Sequence, residues 1–500
     1  MSYLGVDIGT TGCKVTAINE EGEIIHHDSQ GYDLIFSDGV RAELSPQDIW
    51  QAFLTLFLKA VNLLQKKDPV RALSLSVLGE AIMPVDEFGR PLANTLVSMD
   101  YRGSTEAGII ADRIGTDVIY EITGQQCHPM YSAAKILWWK NNTPEIFLKT
   151  WKFFGWEEFI CYRLCGFPVE NYTLAARTML FDIKNKCWSP LLLTALELSP
   201  DLFTSVVPSG ILLASISEKA YQEYNIPRRI QLISGSWDQA SSAFGVGLNS
   251  PDIFLDSFGT TVCLGVYSNY PLLTPELKAG GFQTNCYIFP ESYFTNGGTM
   301  NGGILLRWFR DQLKNELQDQ FIQSGKDFFA ETIENLTENP SSLLFFPYFA
   351  GRGTPYLNPS RTGFCTGLTC ETSSSDILKG LLEGICFEAR INLEYLEKHL
   401  GTHFNQVIAV GGGSRSHFFC QLKATIYQKN LRSFAFADFS SFGAALIALS
   451  GMEGWKKALR IIKKFQIDST IYKPQIERGR LYFDKYQKYQ RLSQLELNLN

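Results

Sequence analysis

Apolar and polar positions in this chain follow two periods, and the switches between them mark out strands and helices. Short, mostly apolar runs bounded by glycine, serine or aspartate predict strands at 3–8, 13–19, 72–78, 231–234, 253–257, 262–267, 343–347 and 407–411. Apolar residues three and four apart predict helices at 46–64, 104–114, 132–142, 156–164, 302–315, 374–399, 415–428 and 440–450. The last reads SSFGAALIALS, serine caps followed by small apolar residues. Turn residues fill GRGTPYLNPSRTGFCTG at 351–367, which is expected to be an ordered surface loop rather than a linker.

Strands interleaved with helices indicate an α/β protein. At 500 residues the chain is too long for one core, since cores stop growing near roughly 250–300 residues. Two domains are expected, 1–248 and 249–500, with the hinge near Gly245–Pro251. An internal echo supports this division. Residues 4–15 read LGVDIGTTGCKV and residues 254–265 read FLDSFGTTVCLG, so a short strand twice ends at Gly-Thr-Thr before apolar character resumes. Glycine permits close backbone approach, and hydroxyls beside exposed amides can cradle phosphate oxygens. Facing hairpins of this kind would grip a polyphosphate from both sides. A pair of ordinary hairpin turns is the other reading, and spacing alone does not choose.

Composition narrows the partners. With 45% hydrophobic and 19% charged residues and a net charge of −6, the chain is not expected to have nucleic acid, which requires a basic face, as its main partner. Its most basic run, Lys456–Lys464, has the spacing of a solvated helix face. Eleven cysteines form no CxxC pair and no zinc-type cluster, which suits free thiols in a reducing compartment. No signal-peptide core precedes the first strand, and no stretch of 18 apolar residues occurs. A cytoplasmic protein without a membrane partner is expected.

Three segments carry chemistry. Asp7 ends a strand just before Gly9-Thr10-Thr11, where a carboxylate could hold Mg²⁺ while the hairpin contacts phosphate. Lys14 beyond it could add a cation for the transferring phosphate, or be a solvated strand lysine. In LISGSWDQASSAFGVG at 232–247, Asp238-Gln239 stands between a strand and a small-residue helix. Asp238 is either an N-cap or a general base for an attacking hydroxyl. In VIAVGGGSRSHFFCQL at 407–422, three glycines follow a strand. That is costly in chain entropy unless a ligand needs close backbone approach.

Taken in order, these segments resemble the FGGY carbohydrate kinase family over nearly the whole chain. The resemblance also rests on Lys135-Ile136-Leu137-Trp138, LAARTMLFDI at 174–183, FFPYFAGRGTPYLNP at 345–359, GLLEGICFE at 380–388, GGGSRS at 411–416 and SFGAAL at 441–446. It implies two RNase H-like domains of the actin-like ATPase fold around a central cleft. It implies ATP and Mg²⁺ as cofactors and a small sugar, ketose, polyol or sugar acid as substrate. By position, Asp238 matches the catalytic base and Asp7 the metal-linked aspartate. Thr10, Thr11, Lys14, Gly259, Thr260, Gly303, Arg307, Gly412, Gly413 and His417 match the nucleotide side. Glu80, Asp100, Met130 and Gln239 match the sugar side.

Departures from the family pattern bear on substrate. Gly79 precedes Glu80 where glycerol-specific members carry arginine, and Ser98 and Met130 replace bulkier or more polar residues. These swaps are expected to enlarge the pocket, disfavouring glycerol and leaving a xylulokinase-like substrate. Lys423-Ala424-Thr425 replaces the family's alanine-aspartate pair, which leaves the details of that helix open. The resemblance allows a homodimer. Its rivals are an actin-like ATPase without sugar kinase activity and a catalytically idle sensor.

Overall fold

The computed structural model describes residues 1–313 and 332–495. Two mixed sheets organise the chain. The first comprises β1 (Ser2–Ile8), β2 (Gly12–Asn19), β3 (Ile24–Gly31), β4 (Val70–Val77), β5 (Leu212–Ser215) and β6 (Gln231–Trp237), in the order β5-β6-β4-β1-β2-β3. Strands β1, β4 and β6 are parallel, with Ile8, Val77 and Trp237 in one row. Their carboxyl ends therefore open onto a single edge, the edge where open α/β sheets bind ligands.

The second sheet comprises β7 (Ile253–Phe258), β8 (Val262–Ser268), β9 (Gln283–Cys286), β10 (Tyr293–Thr299), β11 (Gln406–Val410), β12 (Asn430–Ser433) and β13 (Thr470–Tyr472). Its order is β9-β10-β8-β7-β11-β12-β13. Strand β7 turns back antiparallel into β8 and pairs in parallel with β11, as β1 does with β2 and β4. The Gly-Thr-Thr echo is thus a repeat of topology.

All seven residues of β1 are buried, as befits a central strand covered on both faces. One cover comes from the far end of the chain. A Cβ at Gly5 would lie 1.9 Å from the Ser441 carbonyl oxygen and 2.2 Å from the Ala445 nitrogen. Glycine is required because the helix Phe439–Glu453 lies directly on the strand. That helix also crosses Asp238–Gly245, where a Cβ at Gly443 would meet the Ser241 carbonyl oxygen at 2.0 Å. The hydroxyl of Ser241 donates to the Ser440 carbonyl at 2.8 Å. The small residues of SSFGAAL are there to let backbones touch. Accordingly, one apolar cluster draws on both halves of the chain, from Tyr3 and Val6 to Phe442 and Leu446.

Most predicted elements form within a residue or two of their expected bounds, the helix at Pro46–Leu64 among them. Three differ. The strand expected at 231–234 runs on to Trp237 through a register shift. The helix expected at 302–315 is described over Gly303–Leu313, and its last two positions lie outside the described residues. Part of 351–367 is buried rather than a surface loop: Arg352 is 3% exposed and Thr354 4%. An Arg352 guanidinium N–H donates to Glu388 at 3.2 Å and the Thr354 hydroxyl to Asn392 at 2.6 Å, so both have buried partners on the helix Ser374–Leu400. The basic run does lie on a helix, Trp455–Ile467, with Lys456, Arg460, Lys463 and Lys464 exposed over buried Ala458, Ile461 and Ile462. Among the described residues, no helix is long and apolar enough to cross a membrane.

Candidate active site

The first hairpin closes with the Gly9 amide donating to the Gly12 carbonyl at 3.0 Å. The Tyr32 hydroxyl donates to the Gly9 carbonyl at 2.5 Å and braces the turn from β3's side. Thr11 is exposed and Thr10 half-buried. Behind them, Asp7 is buried at the end of β1 and accepts from the Ser76 hydroxyl of β4 at 2.6 Å. Burial pushes its carboxyl up to about 6, against the opposing effects of Ser76 and Lys14.

In the second half, the Gly259 amide donates to the Thr261 carbonyl at 2.9 Å, and Gly259 and Thr260 are exposed. The Gly303 amide donates to the Gly259 carbonyl at 2.8 Å, which seats the N-terminus of Gly303–Leu313 on this turn. Gly411 has φ +85°, and a Cβ there would meet the Phe258 carbonyl oxygen at 2.3 Å. At Gly413 a Cβ would strike the Phe258 ring at 2.5 Å, whereas at Gly412 nothing lies within 4 Å. Gly411 and Gly413 are thus fixed by packing, and Gly412 faces open space. Gly259, Thr260, Gly303, Gly412 and Gly413 are brought together. Arg307 is exposed on the same helix as Gly303. His417 is joined to the Tyr472 hydroxyl by a 2.6 Å hydrogen bond, and both line a cavity of about 360 Å³ with Lys379, Gln421 and Tyr482.

Asp238 opens the helix Asp238–Gly245 at the carboxyl end of β6. The N-cap position belongs to Trp237, so the capping role does not fall to the aspartate. One Asp238 oxygen accepts from the Gln239 amide at 2.6 Å. Burial, followed by the charges of Asp7 and Glu80, holds the Asp238 carboxyl well above the usual carboxylate range.

The sugar-side residues stand in a dense ionic frame. Arg177, 2% exposed, donates through Nε to Glu80 at 2.8 Å and lies over the Trp237 ring with its carbon 4.2 Å from the centroid. The same guanidinium donates to Gln125 at 3.1 Å and to Gln283 and Asn285 of β9 at 3.0 Å, tying the two halves together. Lys135 donates to the Glu80 carbonyl at 2.9 Å, and burial pulls its ammonium down to about 7. Asp100 has no exposed surface: its oxygens accept from the Ala42 amide and Arg102 Nε, each at 2.8 Å. Arg102 in turn lies 5.0 Å over the Trp138 ring. The lysine and tryptophan of the 132–142 helix therefore fix Glu80 and, through Arg102, Asp100. Met130 and Gln239 are half-buried. The room expected beside Gly79 is occupied, because a Cβ there would meet Trp237 at 2.7 Å and Arg177 at 2.8 Å.

Arg177 was legible only as part of LAARTMLFD, an arginine set among apolar residues. Two further charged groups carried no signal. Asp438 pairs with Lys14 and, at 3.1 Å, with His27 Nε2, and these contacts hold its carboxyl down to about 2. Asp256, fully buried on β7, accepts from Lys423 at 2.7 Å and Tyr427 at 2.8 Å. That pair gives the unusual Lys423 its partner.

Paired sheets of repeated topology, each presenting a Gly-Thr-Thr turn at its strand ends, define the two-domain actin-like ATPase fold. Family models for the N-terminal and C-terminal domains of the FGGY family of carbohydrate kinases match residues 2–245 and 256–452. The chain belongs to the FGGY family of carbohydrate kinases. It is 27% identical to a gluconokinase of Bacillus licheniformis over 451 residues, 89% of this chain and 86% of that one. It is 26% identical to a xylulose kinase of Bacillus subtilis over 498 residues, 97% and 96% of the two chains. A ligand-bound xylulose kinase structure from Lactobacillus acidophilus superposes with a TM-score of 0.88 at 24% identity, covering 99% of this chain and 98% of that one. The chain is therefore an ATP-using phosphotransferase, and an actin-like ATPase without sugar kinase activity is not favoured.

Proposed function

We propose that this kinase phosphorylates an open-chain sugar or sugar acid larger than glycerol, a ketopentose of the xylulose type first and an aldonate such as gluconate second, with Asp238 as general base. The observation that carries this reading is the place of Asp238. It stands at the carboxyl edge of β6, where its own burial, and then the charges of Asp7 and Glu80, raise its affinity for a proton. A carboxylate of raised proton affinity is the better acceptor for a hydroxyl proton.

In this mechanism the sugar lies against residues 1–248, near Glu80, Met130 and Gln239, with Asp100 holding Arg102. The nucleotide lies against residues 249–500, its phosphates between the Thr10-Thr11 and Thr260-Thr261 turns and its base near Gly412. Asp238 orients one hydroxyl and takes its proton as the oxygen attacks the γ-phosphorus in line. Lys14 offsets charge on the transferring group. The catalysis is positioning and charge stabilisation, with water excluded as the cleft closes. Asp7 suits Mg²⁺: it is a hard oxygen donor held by Ser76 behind the phosphate turn. When bound, the ion would neutralise phosphate charge. We place the protein in the cytoplasm, where its free cysteines stay reduced.

The test is ADP release with ATP and Mg²⁺ against ketopentoses, pentitols, tetritols, aldonates, hexoses and glycerol, repeated with Asp238→Asn. The expected result is a strong signal with one or two sugars. In Asp238→Asn it should fall by roughly three or more orders of magnitude while ATP still binds. Near-normal turnover in that variant overturns Asp238 as base, and preference for glycerol overturns the substrate class.

A further inference from the structure

Strand β6 carries a bulge shortly before Asp238. Ile233 pairs with Ser74 but Ser236 pairs with Ser76, so three steps on β6 face two on β4. The extra residue puts the Gly235 amide outside the ladder. That position accepts only glycine, since a Cβ would lie 1.9 Å from the Leu75 carbonyl oxygen. The freed amide donates to Glu157 Oε1 at 2.5 Å. Glu157 lies on the helix Trp156–Cys165 and is 1% exposed.

From Glu157 a line of hydrogen bonds returns to the strand. Its other oxygen accepts from the Asn171 amide at 3.2 Å and from the Asn171 side chain. Asn171 Oδ1 accepts from the Thr173 amide at 2.9 Å and the Thr173 hydroxyl at 2.6 Å. The Thr173 hydroxyl oxygen then accepts from the Trp237 amide at 2.7 Å. Trp237 is the residue before Asp238, so the circuit clamps β6 on both sides of the bulge. Asn171 and Thr173 have no exposed surface.

We propose that Glu157, Asn171 and Thr173 are positioning residues for phosphoryl transfer, fixing the bulged end of β6 and with it the direction in which Asp238 faces the acceptor hydroxyl. This rests on the reading of Asp238 as base. A buried carboxylate is costly, and burial here pushes Glu157 up to about 7. Simple packing of a strand on a helix needs no such group. A bulge next to a reacting residue does, because an extra residue in a strand leaves an amide to satisfy and two registers to choose between.

The test is Thr173→Val, nearly isosteric but without the acceptor, beside Thr173→Ser, which keeps it. Thr173→Val is expected to lower kcat by roughly 10–100-fold with KM for ATP unchanged within about twofold, the scale of a small misplacement of a reacting group. Thr173→Ser should recover most of the loss. Thr173→Ala, which removes the same acceptor without the valine's bulk, carries the same kcat expectation if the valine variant folds poorly. Valine or alanine variants with normal kcat, or serine no better than valine, overturn the proposal. Asp238→Asn separates the two ideas: if it is inactive while Thr173→Val turns over normally, the positioning circuit alone fails.

Discussion

Lys14 on β2 is ion-paired with Asp438, the residue that precedes the helix Phe439–Glu453, so a cation expected at the phosphates is held by an acid more than 400 positions away. The side chains are 41% and 25% exposed, which limits the pair's value for stability to about 1 kcal/mol or less. Lys14→Met is therefore expected to unfold at nearly the parent temperature. Its kcat should nonetheless drop roughly 100–1,000-fold, the usual effect of losing one charge-stabilising donor. Melting curves and steady-state kinetics on the same preparation would separate the two effects.

Arg177 offers the opposite case. It is almost wholly buried and serves Glu80, Gln125, Gln283 and Asn285 at once. Arg177→Met leaves Glu80 buried without its cation and should cost about 3–5 kcal/mol in urea unfolding. Arg177→Lys keeps the charge but cannot reproduce the planar fork, so most of the loss should persist. Full stability in the lysine variant would show that charge alone matters.

The Asp256–Lys423 pair lies far inside the second half, both groups at 3% exposure or less. Lys423→Met should cost about 3–5 kcal/mol, since it strands a buried carboxylate. Adding Asp256→Asn should return a large part of that stability, because the charge that needed a partner is gone. Additive losses in a double-mutant cycle would contradict this coupling.

Lys135 yields a dependence on pH. Its folded value is lowered to about 7 from the ordinary lysine 10.5, with burial as the main cause. Between these values the unfolded chain holds a proton that the folded chain lacks, so this group's contribution to stability rises with pH across that window. Below about 7 both states are charged and the contribution is flat. The slope should approach about 1.4 kcal/mol per pH unit, and Lys135→Met should remove it. Urea unfolding at several pH values from 7 to 8.5, parent against variant, measures the difference.

Pattern and spacing disclosed the strands of both sheet centres and the two Gly-Thr-Thr turns, because these depend on local periodicity and on residues adjacent in sequence. Edge strands were harder. β3 reads IIHHDSQG, and its half-exposed residues lack clean alternation. The partners of charged side chains were hidden for another reason. Glu80 and Arg177 stand 97 positions apart, and nothing in either neighbourhood marks the other. Gly79 shows the limit of reading size from sequence: the missing side chain suggested space, but Trp237 and Arg177 fill it.

The helix Phe439–Glu453 has a consequence for biosynthesis. Synthesis runs from the N-terminus, so β1 is made long before the helix Phe439–Glu453. Its cover at Gly5 arrives only with Ser441 and Ala445, more than 430 residues later. Until then one face of a central strand that ends up buried along its whole length waits for its partner. The nascent first half thus depends on a chaperone or on provisional contacts. A truncation that stops short of this helix would leave the first sheet incomplete even though every strand of that sheet had been made.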